Sequence, residues 1–175
     1  MLRSHKQDDI PAIVQLAGAR EIAATTLNIP HPYSMEDGRK FLATSRAEFR
    51  AGRLASFAIC GLPGGELCGG AGLAISQEHQ RAELGYWIAV PYWGMGYATE
   101  AARAVVEYGF ANLRLHKIHA HVFAENAASS RVLEKIGMRR EGRLRGHFQK
   151  WNQFIDVENF GIMAEEFRSA EPASQ

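Results

Sequence analysis

Two sets of residues in this chain have the types and spacing to do chemistry. The first is the run Pro91-Tyr92-Trp93-Gly94-Met95-Gly96-Tyr97-Ala98-Thr99-Glu100, and the second is the histidine set His116, His119 and His121. The run lies between residues 83–90, whose alternation reads as a strand, and residues 98–113, whose period reads as a helix. The first turn of a helix leaves backbone N–H groups without partners, and its dipole favours negative charge. Glycine lets a backbone approach a ligand that a side chain would block. An anion cradle for phosphate or pyrophosphate is therefore expected here. A Walker loop would need Gly-Lys-Ser/Thr where this run has Gly96-Tyr97-Ala98. A dinucleotide fingerprint would need a third glycine where Thr99 stands. A bare strand-to-helix turn that binds nothing is the competing reading. His119 and His121 share a strand face at a spacing that can ligate metal, but no carboxylate or thiol completes a set, and no metal is expected.

These residues need a scaffold, and the composition describes it. The chain of 175 residues is long enough for one domain with a real core, expected over residues 1–168 with a polar tail at 169–175. Hydrophobic residues make up 46% and charged residues 22%, as in soluble globular proteins. A net charge of +1 gives no reason to expect a nucleic acid partner. No run reaches a transmembrane length, and the first residues lack the apolar stretch of a signal peptide. Cys60 and Cys68 lie in apolar strand-like segments and read as buried free thiols of a cytoplasmic protein. A disulfide across the Pro63-Gly64-Gly65 turn is the lesser alternative.

In chain order, Leu2-Arg3-Ser4 reads as a short strand. A helix follows, capped by Asp8 or Asp9, with Pro11 in its first turn. After a proline-rich break at residues 28–33, Ser34 and Asp37 cap a second helix that runs to about Gly52. Residues 54–62 and 67–76 form a hairpin, and 83–90 extend it to a three-stranded antiparallel meander. On the third strand Leu84, Tyr86, Ile88 and Val90 take one face, and Glu83, Gly85, Trp87 and Ala89 the other. The helix after the glycine run leads to a strand at 117–123, whose position implies a right-handed crossover and parallel pairing with 83–90. Asn126 caps the next helix, Gly137 ends it, and residues 153–163 are the last strand.

The element order and two motifs resemble the GNAT acetyltransferases. Glu83-Leu84-Gly85-Tyr86-Trp87, with Tyr92-Trp93-Gly94-Met95-Gly96-Tyr97-Ala98-Thr99-Glu100-Ala101, is similar to the RimJ/RimL-like branch, which includes ribosomal-protein N-acetyltransferases. Asn126-Ala127-Ala128-Ser129 and Leu133-Glu134-Lys135-Ile136-Gly137-Met138 resemble its second signature. The resemblance is strong over residues 83–142 and weak before residue 54. It implies an α/β (α+β) GNAT fold, with a mixed, mostly antiparallel sheet of six to seven strands. Helices flank that sheet, and its fourth and fifth strands splay apart. It also implies acetyl-CoA as co-substrate and a primary amine as acceptor, either a protein N-terminus or a small molecule. Relatives often dimerise, so a homodimer is an option.

Site residues follow from the same resemblance. Backbone groups of Ile88, Ala89 and Val90 would pair with the pantetheine arm as an added strand would. N–H groups of Gly94, Met95, Gly96, Tyr97, Ala98 and Thr99 would hold the pyrophosphate, although Met95 stands where many relatives carry Lys or Arg. Asn126 would fix the arm, or serve only as a helix cap. Ser129 matches a serine that donates to the departing thiolate, and Glu83 is the candidate base, directly or through water. His147 borders the acceptor side in relatives, and Tyr33, Phe148 and Trp151 are candidates to line it. A non-catalytic acyl-CoA sensor and a nucleotide-binding domain are the alternatives.

Overall fold

The computed structural model describes residues 1–170. The elements are β1 (Leu2–Arg3), α1 (Ile10–Ala17), α2 (Arg20–Thr25), α3 (Met35–Arg50), β2 (Leu54–Cys60), β3 (Leu67–Ser76) and β4 (Arg81–Ile88). Then come α4 (Tyr97–Ala111), β5 (Lys117–Phe123), α5 (Ala127–Lys135), β6 (Arg139–Lys150), β7 (Gln153–Met163) and α6 (Ala164–Ala170). The strands make one seven-stranded sheet in the order β1-β2-β3-β4-β5-β7-β6. Every neighbouring pair is antiparallel except β4–β5, which is parallel as the crossover required. Of the expected polar tail, residues 169 and 170 continue α6, and residues 171–175 lie outside the described residues.

The period-two pattern of β4 sorts the two faces. Ala82, Leu84 and Ile88 are buried in a core with Val105 and Val106 of α4, Ile118 of β5, Leu133 of α5 and Phe160 of β7. Trp87 points the other way, against a smaller cluster of Ile13, Ala17, Ala58, Cys60 and Leu67 beneath α1. Each fully buried Leu, Ile or Val contributes about 2 kcal/mol of transfer free energy, so the larger cluster dominates stability. Cys60 and Cys68 are free and buried. Among the described residues, no helix is long and apolar enough to cross a membrane.

Two of the three expected caps form, while Asp9 stands at the N-cap of α1 without a side-chain cap bond. Ser34 Oγ accepts from the Asp37 N–H at 3.1 Å, and Asp37 Oδ2 accepts from the Ser34 N–H at 2.8 Å, a reciprocal box that starts α3. Asn126 Oδ1 accepts from the Ser129 N–H at 3.1 Å and starts α5. The sequence reading differs in four places. The break before α3 holds the six-residue helix α2, and α6 follows β7. β4 ends at Ile88, because Val90–Tyr92 coil into a 3-10 turn around Pro91. α4 begins one residue earlier, at Tyr97, and stops at Ala111.

The N-terminal segment is pinned by Asp9. Its carboxylate accepts two bonds of 2.7 Å from the Arg3 guanidinium and one of 2.7 Å from the Lys6 N–H. The Arg3 hydrogen bond is the main cause that holds the Asp9 carboxyl below its ordinary value. A carboxyl that is more acidic folded than unfolded adds stability above its unfolded pKa and loses it as pH falls through the folded one. Asp9→Asn should therefore cost about 2 kcal/mol near pH 7. The deficit should shrink below about pH 4, where the unfolded carboxyl protonates. Urea melts of both proteins at pH 7 and pH 3 measure it, and an equal deficit at both values would remove the pair from the account.

Candidate active site

The site starts from an interrupted ladder. β4 pairs with β5 only at Arg81–Lys117, Ala82–Ile118 and Glu83–His119. Past that point β4 stays with β3 as far as Ile88, and β5 stays with β7 as far as Phe123. The two central strands thus part after Glu83, which is the splay implied by the resemblance. Backbone groups alternate sides along an antiparallel strand. The Ala89 N–H donates to the Cys68 carbonyl at 2.8 Å, so Ile88 and Tyr86 turn their N–H and C=O toward the opening. Trp93 Nε1 donates to the Ile88 carbonyl at 2.6 Å.

A cavity of about 840 Å³ occupies the opening and reaches both faces of the sheet. Ile88 lines it, whereas Ala89 and Val90 do not. Ala89 is buried, and its carbonyl accepts from the Tyr92 N–H at 2.9 Å, while that of Val90 accepts from the Trp93 N–H at 3.2 Å. The turn thus engages both carbonyls, and the Ala89 N–H is bonded to Cys68.

The glycine run forms the cavity's rim. Gly94 and Gly96 have φ of +77° and +86°, a region that L side chains resist, and no heavy atom stands within 4 Å of either missing Cβ. Gly96 accepts from the Glu100 N–H at 3.1 Å, which closes the first turn of α4. The N–H groups that open a helix have no intrahelical partner. Gly94, Gly96, Tyr97, Ala98 and Thr99 line the cavity, and Met95 stands outside it, 65% exposed. Arg131 and Lys135, one turn apart on α5, also line it and bring positive charge to the same rim. Sequence reasoning passed over this pair, although basic residues at i and i+4 were there to read. These residues fit an elongated anion with amide groups behind it: bare backbone donors, a helix N-terminus, two cations and a strand edge in line.

Ser129 meets a residue that the sequence reading placed on a strand face without assigning it a role. Its Oγ lies 2.7 Å from the Tyr86 hydroxyl, across the opening. Burial pushes the Tyr86 phenol up to about 12, with the Ser129 bond opposing, so it stays protonated near neutral pH. Asn126 lines the cavity as well, with its side-chain carbonyl already engaged by the cap.

Glu83 stands where β4 and β5 part. Its Oε1 lies 3.0 Å from Nδ1 of His121. A carboxylate can only accept, so Nδ1 carries the hydrogen in this contact. Burial lowers the pKa of His119, which faces Glu83 across the register. Glu83, His119 and His121 each offer a ligand atom within 4.8 Å of the others. This corrects the expectation that no carboxylate completes the histidine set, since the missing member comes from the neighbouring strand. His116 does not join the set; its backbone bonds Gln80 and Ala164 at the far end of β5. The His147 ring lies 5.9 Å from that of His121 and 4.7 Å from that of Phe148, and Phe148 lines the cavity. Tyr33 packs against the smaller core, and Trp151 stands between Arg20 and Lys150, so neither lines it.

Comparison with known proteins adds independent findings. Residues 1–139 match the family model described as the acetyltransferase (GNAT) domain. An uncharacterised N-acetyltransferase of Bacillus licheniformis, p20, is 38% identical over 93 residues, which cover 53% of this chain and 52% of that protein. The chain thus aligns with about half the length of the first curated relatives it matches. The likeness to solved structures is longer. Mycobacterium smegmatis RimJ in complex with CoA-disulfide superposes with a TM-score of 0.86 at 27% identity, over 94% of this chain and 82% of that one. Spermidine N-acetyltransferase from Vibrio cholerae, in complex with CoA and spermine, gives 0.83 at 25% identity, over 96% and 97%.

Proposed function

This chain belongs to the GNAT acetyltransferase family, and we propose that it is an acetyl-CoA-dependent N-acetyltransferase acting on a primary amine. The observation that carries the proposal is the β4–β5 splay opening directly onto the glycine rim of α4. A strand edge, a phosphate cradle and two proton-handling pairs then share one cavity. The single domain is residues 1–168, and its two buried free thiols suit a reducing cytoplasm.

Each residue has a task in this reading. The N–H groups of Gly94, Gly96, Tyr97, Ala98 and Thr99 hold the pyrophosphate, with Arg131 and Lys135 supplying the charge that Met95 lacks. The edge of β4 at Tyr86 and Ile88 pairs with the pantetheine amides, and Asn126 donates to them through its free NH₂. Acetyl-CoA supplies the activated acyl group as a thioester. A bond forms from the amine nitrogen to the acyl carbon as the carbon–sulfur bond breaks. Glu83, directly or through water, takes the proton the amine sheds, and the His121 Nδ1–H bonded to its Oε1 orients the carboxylate. Ser129 donates toward sulfur, and the protonated Tyr86 hydroxyl behind it keeps the serine hydrogen pointed forward. Such paired acid–base help is worth about 10²–10⁴ in rate.

Three outcomes test this reading. Acetyl-CoA should raise the melting temperature, and Gly96→Asp should weaken its affinity by at least about tenfold, because a carboxylate would sit at the helix N-terminus. An unchanged calorimetric affinity would mean that the rim is misassigned. Ser129→Ala and Tyr86→Phe should each lower kcat by about tenfold and leave acetyl-CoA affinity near wild type. Because the two hydroxyls act as one unit, the double variant should lose little more than either single one, and additive losses in that cycle would uncouple them. Glu83→Gln should cut kcat/KM by about 10² near neutral pH, with activity recovering as pH approaches the pKa of the amine itself. A flat profile at wild-type rate would move the base elsewhere.

A further inference from the structure

Across the sheet from the cofactor rim, the cavity continues as a trough with an almost bare floor. Ser56, Gly72 and Gly85 stand in one cross-strand row, and the same face carries Glu83 beside Gly85. A Cβ at Gly85 would meet no heavy atom within 4 Å, so the space above it is open. Ile22, Thr25, Leu27 and Ile29 line the cavity from α2 and the segment after it. Lys150 Nζ secures that segment by donating to the Leu27 carbonyl at 3.2 Å and the Ile29 carbonyl at 3.1 Å.

His5 lines the same cavity, at the β1 end. It is 8% exposed, and neither ring nitrogen has a hydrogen-bond partner among the described residues. Its ring packs edge-on against Phe41 at 5.2 Å. A buried imidazole without partners is costly unless a group entering the cavity supplies them. Burial lowers its pKa, so the ring is neutral and offers one donor and one acceptor. Asp9, whose charge reaches His5, is already engaged by Arg3.

Charge narrows the choice of ligand. Glu83, at the reacting end, is the one carboxylate among the described lining residues. At the other end no described lining residue is a carboxylate, the nearby Asp9 is paired with Arg3, and Lys150 adds positive charge beside the lining segment. The row spans two strand spacings of about 4.8 Å, from β4 to β2, and one more reaches β1, roughly 14 Å in all. Glu83 and His5 take up part of that length.

Resting on the acetyltransferase reading, we infer that the acceptor is a slender monoamine, uncharged beyond its reacting nitrogen. It ends in a hydroxyl or amide that hydrogen-bonds His5. A polyamine, the ligand named for the Vibrio cholerae structure, does not suit this trough.

Three probes of equal length test the inference: hexylamine, 6-amino-1-hexanol and 1,6-diaminohexane, each with acetyl-CoA and a thiol-release readout. The amino alcohol should exceed hexylamine in kcat/KM by about tenfold, the worth of a good buried hydrogen bond. The diamine should fall below both. His5→Leu should erase the preference for the hydroxyl while hexylamine turnover and acetyl-CoA affinity stay put. His5→Gln, which keeps a donor and an acceptor, should retain the preference. A diamine or spermidine turned over faster than hexylamine would overturn the inference, and so would a hydroxyl preference that survives His5→Leu. If no amine releases CoA from a protein that binds acetyl-CoA, the transferase reading fails on its own. Calorimetric titration of 6-amino-1-hexanol into the CoA complexes of wild type and His5→Leu then still decides the trough, with equal affinities counting against it.

Discussion

The molecule is organised by the shortness of one strand pairing. β4 and β5 share three residue pairs and then separate, although both continue. A central sheet strand does not normally leave a row of backbone donors and acceptors unpaired, because each carries a desolvation cost if nothing meets it. Here the cost is managed piecemeal. Trp93 takes the Ile88 carbonyl, and the Tyr86 hydroxyl reaches the turn of α5 at Ser129. What remains is a strand edge inside the sheet, suited to a ligand with amides of its own.

The splay also divides labour between the two faces. On one face the N-terminus of α4 and the basic residues Arg131 and Lys135 of α5 bring positive potential to the cavity beside the large apolar core. On the other, a floor of glycine and serine under α1–α3 is nearly neutral. Glu83 sits at the boundary, paired in register with His119 and hydrogen-bonded to His121. The parallel ladder therefore ends at the place where a nucleophile from one face would meet an acyl group from the other.

Local signals made much of this legible. The two faces of β4, the span of β5, the parallel crossover and both side-chain caps follow from periodicity and from the residues at element ends. Chemistry that depends on long-range approach was hidden. Tyr86 and Ser129 are 43 residues apart, and Glu83 and His121 are 38 apart, so no spacing rule connects them. Tyr86 was placed correctly on the inner face, but its hydroxyl's partner depends on how α5 packs. The helix α2 has six residues and no side-chain cap, too little pattern to rise above a proline-rich connector. His5 looked like part of a polar N-terminus, and only the fold of β1 over β2 and the packing of Phe41 bury it.

Trp93 shows how one side chain can settle two requirements. Its N–H holds the Ile88 carbonyl at 2.6 Å, while much of its ring stays in solvent. A carbonyl oxygen has two lone pairs, so this bond does not block a second donor. It does fix the direction in which Ile88 presents its remaining lone pair and its N–H. It also ties the glycine rim to the end of β4, because Gly94 follows Trp93 directly. A phosphate held at the rim and an amide held at the strand edge are thereby placed in a constant relation. That rigidity is the form of preorganisation that limits the entropy lost when a long, flexible ligand is bound. Trp93 thus joins the two halves of one surface, the strand edge and the glycine rim.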